Sequence, residues 1–287
     1  VKYLALVLIW GSSFLLMKVG LEALTAVQIS ALRILSGAVV LLGLLFARGG
    51  RLPTGARVWG HLLVCGFFLG ALPFTLFALS ETRISSALAG IGNAATPIAT
   101  VLATMAILPG ERATGRRLVA VGVGFLGVIT IMQPWTATDR PDLVGFSMAL
   151  IGGASYGIGW TYNRKFLSGV GLGGLSQPAA TLTSALVLMV PFVVTWALLQ
   201  PEGLAAIWAY DAAGVGDLPW LPLLCVLVLG VVGTGFAYML QFDVVRGAGP
   251  VIGSTITYLI PVVSVLLGVL VLGEHLGPWQ IVGFVVV

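Results

Sequence analysis

Asn93, Thr96, Thr100 and Thr104 follow one another at steps of three or four residues inside an otherwise apolar stretch. On a helix this spacing puts all four on one face. Pro97 interrupts the stretch and has no backbone N–H, so the carbonyl of Asn93 loses its usual partner. A freed carbonyl beside amide and hydroxyl side chains can bind an ammonium or a hydroxyl group. The competing reading is a kinked helix whose threonines bond back to their own turn. Ser254, Thr257, Tyr258 and Pro261 repeat the pattern far along the chain. Pro97 and Pro261 are therefore the expected hinge or kink positions.

Aromatic residues with polar handles form a second set. Trp10, Ser13 and Met17 share one helical face, as do Tyr156, Trp160 and Asn163. Tyr238 lies with Gln241, and Phe74 with Phe77 beside Pro73. Aromatic walls carrying a few polar atoms suit an amphipathic organic solute better than a bare ion. The expected substrate-binding residues are Trp10, Ser13, Phe74, Asn93 and Thr96 from the first part of the chain. Tyr156, Trp160, Tyr238, Thr257 and Tyr258 complete the set. Simple packing is the alternative for each.

Two cations lie within apolar stretches. Lys18 can pair with Glu22 four residues on. Arg33 can pair with Glu22 or Glu81, snorkel to the surface, or attract a carboxylate at a cavity mouth. All ten acidic residues fall in loops or near the ends of apolar segments. Proton-driven carriers bury a carboxylate or histidine relay, so facilitated diffusion is the expected mode.

Other chemistry finds little support. His61 and His275 lie near segment ends with no cluster at metal spacing, and no His-Glu-x-x-His motif occurs, so no metal is expected. Cys65 and Cys225 sit inside apolar runs and read as small buried hydrophobes. Gly122-Val-Gly124-Phe-Leu-Gly127 matches a dinucleotide fingerprint literally, but no strand precedes it. No catalytic residue and no cofactor are expected, so the protein is not read as an enzyme.

The elements that must position these groups follow from composition. Of 287 residues, 59% are hydrophobic and 8% charged, against about 25% charged in a soluble domain. Lipid must be the solvent for most of the chain. Apolar segments long enough to span a bilayer fall near 2–20, 27–47, 58–80, 84–108, 115–133, 144–164, 176–199, 219–242, 248–272 and 276–287. This predicts an all-α integral membrane protein of about ten transmembrane helices. Barrel strands alternate apolar and polar residues, and Leu223–Val232 is apolar on both faces. The last segment is short and is expected to continue in the natural protein; the missing initiator Met points to trimming at the front. No cleavable signal peptide stands out.

With the N-terminus placed in the cytoplasm, Lys2, Arg48, Arg51, Arg57, Arg112, Arg116, Arg117, Arg164, Lys165 and Arg246 lie inside. Only Lys18, Arg83 and Arg140 lie at outer ends. This bias puts both termini in the cytoplasm. Trp59, Trp135, Trp220 and Trp279 sit at segment ends as interfacial anchors.

The chain also repeats itself. Arg83 to Glu111 and Arg246 to Glu274 have the same separation, and each interval holds small residues, then a mid-span proline, then Gly-Glu. Trp10-Gly11 precedes Lys18 as Tyr156-Gly157 precedes Arg164. Two repeats of five spans, 1–133 and 134–287, enter the membrane from opposite sides. Inverted repeats around a midplane cavity are a transporter signature. A channel would need a continuous polar lining, and here polar groups cluster near mid-span.

Trp10-Gly11-Ser12-Ser13-Phe14 with Lys18, Ala31-Leu32-Arg33, and Pro97…Gly110-Glu111-Arg112 repeated as Pro261…Gly273-Glu274 carry a family resemblance. Over nearly its whole length the sequence resembles the drug/metabolite transporter superfamily, specifically its EamA-type ten-helix exporters. That resemblance implies ten helices around a central cavity, no cofactor, and export of amino acids or related small metabolites by alternating access. Export of lipophilic drugs is the alternative. The expected setting is a bacterial inner membrane. The expected partners are a small-molecule substrate and lipid, without nucleic acid, for a monomer. Gly66-x-x-x-Gly70 and Gly153-x-x-x-Gly157 are expected to let helices approach closely.

Overall fold

The computed structural model describes residues 2–108, 114–132, 135, 142–211, 220–263 and 278–286. Among them there is no strand. The helices are α1 (Lys2–Gly20), α2 (Ala26–Ala47), α3 (Ala56–Glu81) and α4 (Ser86–Ala94 continued by Thr96–Ile107). Then come α5 (Gly115–Met132), α6 (Leu143–Leu167), α7 (Ser176–Leu198), α8 (Leu221–Ser254), α9 (256–263) and α10 (Pro278–Val286). Seven helical stretches are long and apolar enough to cross a membrane, and Leu118–Thr130 within α5 is a shorter apolar one. The all-α membrane architecture expected from composition is the one observed. Gly110, Glu111, Arg112, Arg140, Gly273, Glu274 and His275 lie outside the described residues.

Helix ends follow local chemistry. Thr25 caps α2 in a reciprocal box with Gln28, whose carboxamide oxygen accepts from the Thr25 backbone N–H at 2.8 Å. The same Gln28 donates to the carbonyls of Ala206 (3.0 Å) and Ala209 (2.6 Å), tying the loop after α7 to the start of α2. Asp142 caps α6 and accepts from the Gly145 N–H at 2.8 Å. That bond, with Arg83 at 3.1 Å, holds the Asp142 carboxyl below the usual carboxylate range.

Breaks within helices matter more for the site. α4 is interrupted at Ala95, two residues before Pro97. Its counterpart breaks at Thr255, where α8 ends and α9 begins. The expected kink at Pro261 therefore falls six residues earlier, and Pro261 itself lies within α9. α8 also bends at Gly249, whose φ of +85° suits a residue without a side chain. A one-residue widening to π geometry occurs at Phe67–Ala71 in α3 and at Val231–Phe236 in α8. These are corresponding places in the two halves of the sequence, and π segments re-aim backbone carbonyls that a regular helix would consume.

Glycines set the helix spacing. A side chain at Gly153 on α6 would collide with the Gly92 carbonyl of α4. One at Gly157 would come within 2.5 Å of the Thr100 nitrogen. Gly66 faces the Ala185 nitrogen of α7 at 2.6 Å in the same sense. Leu4, Leu8 and Leu15 on α1, Val119 and Leu126 on α5, and Val187 and Val190 on α7 are exposed, as lipid-facing side chains must be.

Charged residues gather at two ends. Lys2 pairs with Asp243 at 2.6 Å, and Arg246 donates to the carbonyls of Leu172 and Gly174. At the other end, Lys18, Glu22, Glu81 and Asp211 border a vestibule of about 880 Å³.

Candidate functional site

A cavity lies at the centre of the bundle, walled by α1, α2, α3, α4, α6, α8 and α9. Its free volume, about 50 Å³, is room for a few waters. In this conformation the cavity is closed to a solute larger than a few waters.

Of the ten residues expected to bind substrate, Trp10, Ser13, Asn93, Thr96, Tyr156, Trp160, Tyr238 and Thr257 line this cavity. Phe74 and Tyr258 do not. Phe74 lies behind the wall, with its ring 6.4 Å from Tyr156 and 6.0 Å from Tyr238. Tyr258 turns away: its hydroxyl donates to the Val121 carbonyl at 2.7 Å, and its ring packs against Gly124 of α5. One glycine of the string that resembled a dinucleotide fingerprint, Gly124, thus makes room for a tyrosine. Tyr258→Phe is expected to leave transport unchanged and to lower stability by about 0.5–1.5 kcal/mol, one hydrogen bond's worth. Parallel flux and melting measurements check both.

The wall is held by the π segments. Trp10 Nε1 donates to the Gly233 carbonyl at 3.0 Å. The Tyr238 hydroxyl donates to the Leu69 carbonyl. Arg33 Nε donates to Thr234 Oγ1 at 2.7 Å. Each acceptor belongs to one of the two π segments, so these bulges position the cavity's polar and aromatic lining.

Most threonines of the polar face are already engaged. Thr100 bonds back to the Thr96 carbonyl at 2.8 Å, and Thr257 to Ser254 at 2.9 Å. Thr96 crosses to the Gly153 carbonyl at 2.9 Å and so joins α4 to α6. Thr104 faces Thr161. The back-bonded reading therefore describes Thr100 and Thr257. On the cavity the Asn93 amide nitrogen, the Tyr156 hydroxyl, the Trp160 indole N–H, the terminal nitrogens of Arg33 and Oε1 of Gln241 have no hydrogen-bond partner among the described residues.

Arg33 is the residue that sequence reasoning left open. It is buried, not snorkelling, and no carboxylate lies within ion-pair distance among the described residues. Its guanidinium lies over the Phe74 ring at 3.9 Å, a cation–π contact that holds the charge flat against the wall. Phe14, Met17, Phe77 and Ile260 complete the apolar lining. Helical phase alone could have flagged Phe14 and Phe77, but not which apolar face turns inward.

One expectation is corrected here. Glu81 lies at the end of α3, yet it is fully buried and neither carboxyl oxygen has a hydrogen-bond partner. Lys18 reaches not the carboxyl but the Glu81 backbone carbonyl, at 3.0 Å. The absence of a buried acid, on which facilitated diffusion was argued, does not hold.

No cluster of three or more His, Cys, Asp or Glu capable of holding a metal occurs among the described residues. His61 bonds Tyr162 at 2.8 Å and stacks on Phe166 at the Arg-rich end. Both cysteines are unpaired and buried.

The EamA-like transporter family profile matches residues 2–133 and again 143–287. The chain belongs to this family. It is 25% identical over 285 residues to the "Uncharacterized inner membrane transporter YedA" of Escherichia coli, covering 98% of this chain and 86% of that one. It is 24% identical to an E. coli "Probable amino-acid metabolite efflux pump", covering 99% and 90% of the two chains. A solved crystal structure shares the fold with a TM-score of 0.73 at 19% identity, covering 99% of this chain and 92% of that one. The protein is a membrane transporter.

Proposed function

We propose that this protein exports amino acids, including apolar and aromatic ones, or closely related metabolites, by alternating access. The observation that carries the reading is the closed central cavity, with aromatic walls and several unpartnered polar groups, lined from both halves of the chain. An aromatic cavity with few charges suits an amphipathic solute. The relative named as an amino-acid metabolite efflux pump supports the same substrate class.

The two halves, 1–133 and 134–287, are read as inverted five-helix units. Their relative rocking opens the cavity first at the Arg-rich end and then at the vestibule. The cationic bias supports a cytoplasmic Arg-rich end and two cytoplasmic termini, and the relative named as an inner membrane transporter supports a bacterial inner membrane. The substrate route needs no catalytic group, so transport without chemical change is the reading. A monomer suffices to enclose the cavity.

The test is counterflow of labelled amino acids in proteoliposomes. Trp160→Ala and Asn93→Ala are each expected to reduce saturable exchange by about tenfold or more, since one wall aromatic or one polar contact is worth about 1–2 kcal/mol. Absence of exchange with every amino acid, from folded protein, would overturn the substrate class and point to lipophilic drugs.

A further inference from the structure

Two polar groups of opposite character are left unused on the cavity wall. Arg33 spends Nε on Thr234 and its face on Phe74, and its terminal nitrogens have no partner among the described residues. Gln241 is 1% exposed. Its Nε2 donates to the Gly253 carbonyl at 3.1 Å, which fixes which end of the amide is oxygen. The remaining Oε1 is buried without a partner. Both residues line the same cavity, with Trp10, Tyr156 and Trp160 around them.

Leaving such groups unmade is costly: a buried acceptor without a donor loses its full desolvation energy. A guanidinium presents paired N–H groups that match a carboxylate. An amide oxygen accepts from an ammonium. We propose that Arg33 and Gln241 are the two poles of a site for a zwitterion: Arg33 takes the substrate carboxylate and Gln241 Oε1 takes its ammonium. The ligand class is then α-amino acids as opposed to simple amines, simple acids or neutral drugs. This rests on the cavity being the transport site, and adds which atoms select the substrate.

The polarity is fixed on the protein side. Arg33 is held on α2 by a residue of the α8 π segment, and Gln241 on α8 by the backbone of Gly253 beyond the Gly249 bend. Both poles are thus tied to α8, on either side of the Gly249 bend, which lets the Gln241 anchor at Gly253 shift while the Thr234 anchor of Arg33 stays in place. Substrate bridging both poles would favour an occluded state wider than the closed cavity seen here, which ties recognition to occlusion. The aromatic wall receives the side chain with less discrimination, because ring faces and methylenes accept many apolar shapes.

The experiment uses the full chain in nanodiscs and three matched probes: phenylalanine, phenethylamine, which lacks the carboxylate, and phenylpropionate, which lacks the ammonium. Wild-type protein is expected to bind phenylalanine about 10- to 100-fold tighter than either analogue, the range for hydrogen bonds to charged groups. Arg33→Leu is expected to bind phenylalanine and phenethylamine alike. Gln241→Leu is expected to bind phenylalanine and phenylpropionate alike. Should Arg33→Leu fail to fold, Arg33→Gln carries the same test, since it keeps a polar side chain that can donate to Thr234 but removes the charge that takes the carboxylate. Equal losses for all three probes in either variant, or unchanged preference, would overturn the assignment. Amino-acid counterflow that persists with that outcome leaves the exporter reading standing. Loss of counterflow with every amino acid in wild type sinks both.

Discussion

Glu81→Gln abolishes the response of transport to a pH gradient. In proteoliposomes, wild-type protein is expected to accumulate substrate uphill when a pH gradient is imposed, and the variant only to equilibrate it. A charged carboxylate fully removed from water costs several kcal/mol even after relaxation, and Glu81 has no hydrogen-bond partner at either oxygen to offset this. The charged groups that face it are Lys18 from α1 and Arg33 from α2, with the Ser86 hydroxyl of α4 a neighbour. Tyr156 of α6 lies close to Arg33 in turn. Lys18 nonetheless donates to a backbone carbonyl.

In the proposed alternating-access cycle the adjoining vestibule opens to water and closes again, and a buried, unpartnered carboxyl beside it is expected to take up and release a proton with that cycle. With one proton carried per substrate, a gradient of about one pH unit supports about tenfold accumulation. Glutamine keeps the shape and removes the titration, so the fold is retained while the response disappears. A response that survives in the variant would assign Glu81 a structural role. No response in wild type would restore facilitated diffusion.

Gly153→Ala is the second substitution with a large expected effect, this time on the fold. The added methyl meets the Gly92 carbonyl, and the next glycine along the face, Gly157, faces the Thr100 nitrogen at 2.5 Å. Backbone atoms cannot swing aside as a side chain does. Overpacking costs about 1–3 kcal/mol in a well-packed interior, and separating α4 from α6 also breaks the Thr96 hydroxyl bond to the Gly153 carbonyl. The pair Gly153→Ala with Gly157→Ala is expected to prevent assembly in detergent. Gly122→Ala is the control: nothing lies within 4 Å of the added methyl. It should be neutral or stabilise by about 1 kcal/mol through helix propensity. Thermal unfolding of the purified proteins reads the contrast, and equal melting of all the variants would show that the α4–α6 contact yields at no cost.

These two cases mark how far the sequence reaches. Gly153 and Gly157 were legible because four-residue spacing places them on one helical face, whatever the fold. The helix count followed from the energetics of lipid, which require each backbone polar group to be satisfied within its own helix. Trp10, Tyr156, Trp160, Tyr238 and the Asn93–Thr96 pair were found because polar atoms in an apolar run must point inward. Tyr258 obeyed the same rule and still faced away. Its hydroxyl found a carbonyl on α5, and a helix packed among several others has more than one inward face.

Arg33 and Glu81 show the limit most clearly. Both stand near segment ends, where an isolated helix would let them reach water. Only the packing of α1, α2, α3 and α8 closes that route, leaving Arg33 against Phe74 and Glu81 without exposure. The π segments were equally hidden, since the choice between neighbouring hydrogen-bond registers is nearly even in energy and is settled by tertiary contacts. Composition and periodicity determined that this chain is an all-α membrane protein whose polar residues gather at its centre. Tertiary structure decided which polar atoms remain unpaired there, because pairing depends on atoms brought together from distant segments.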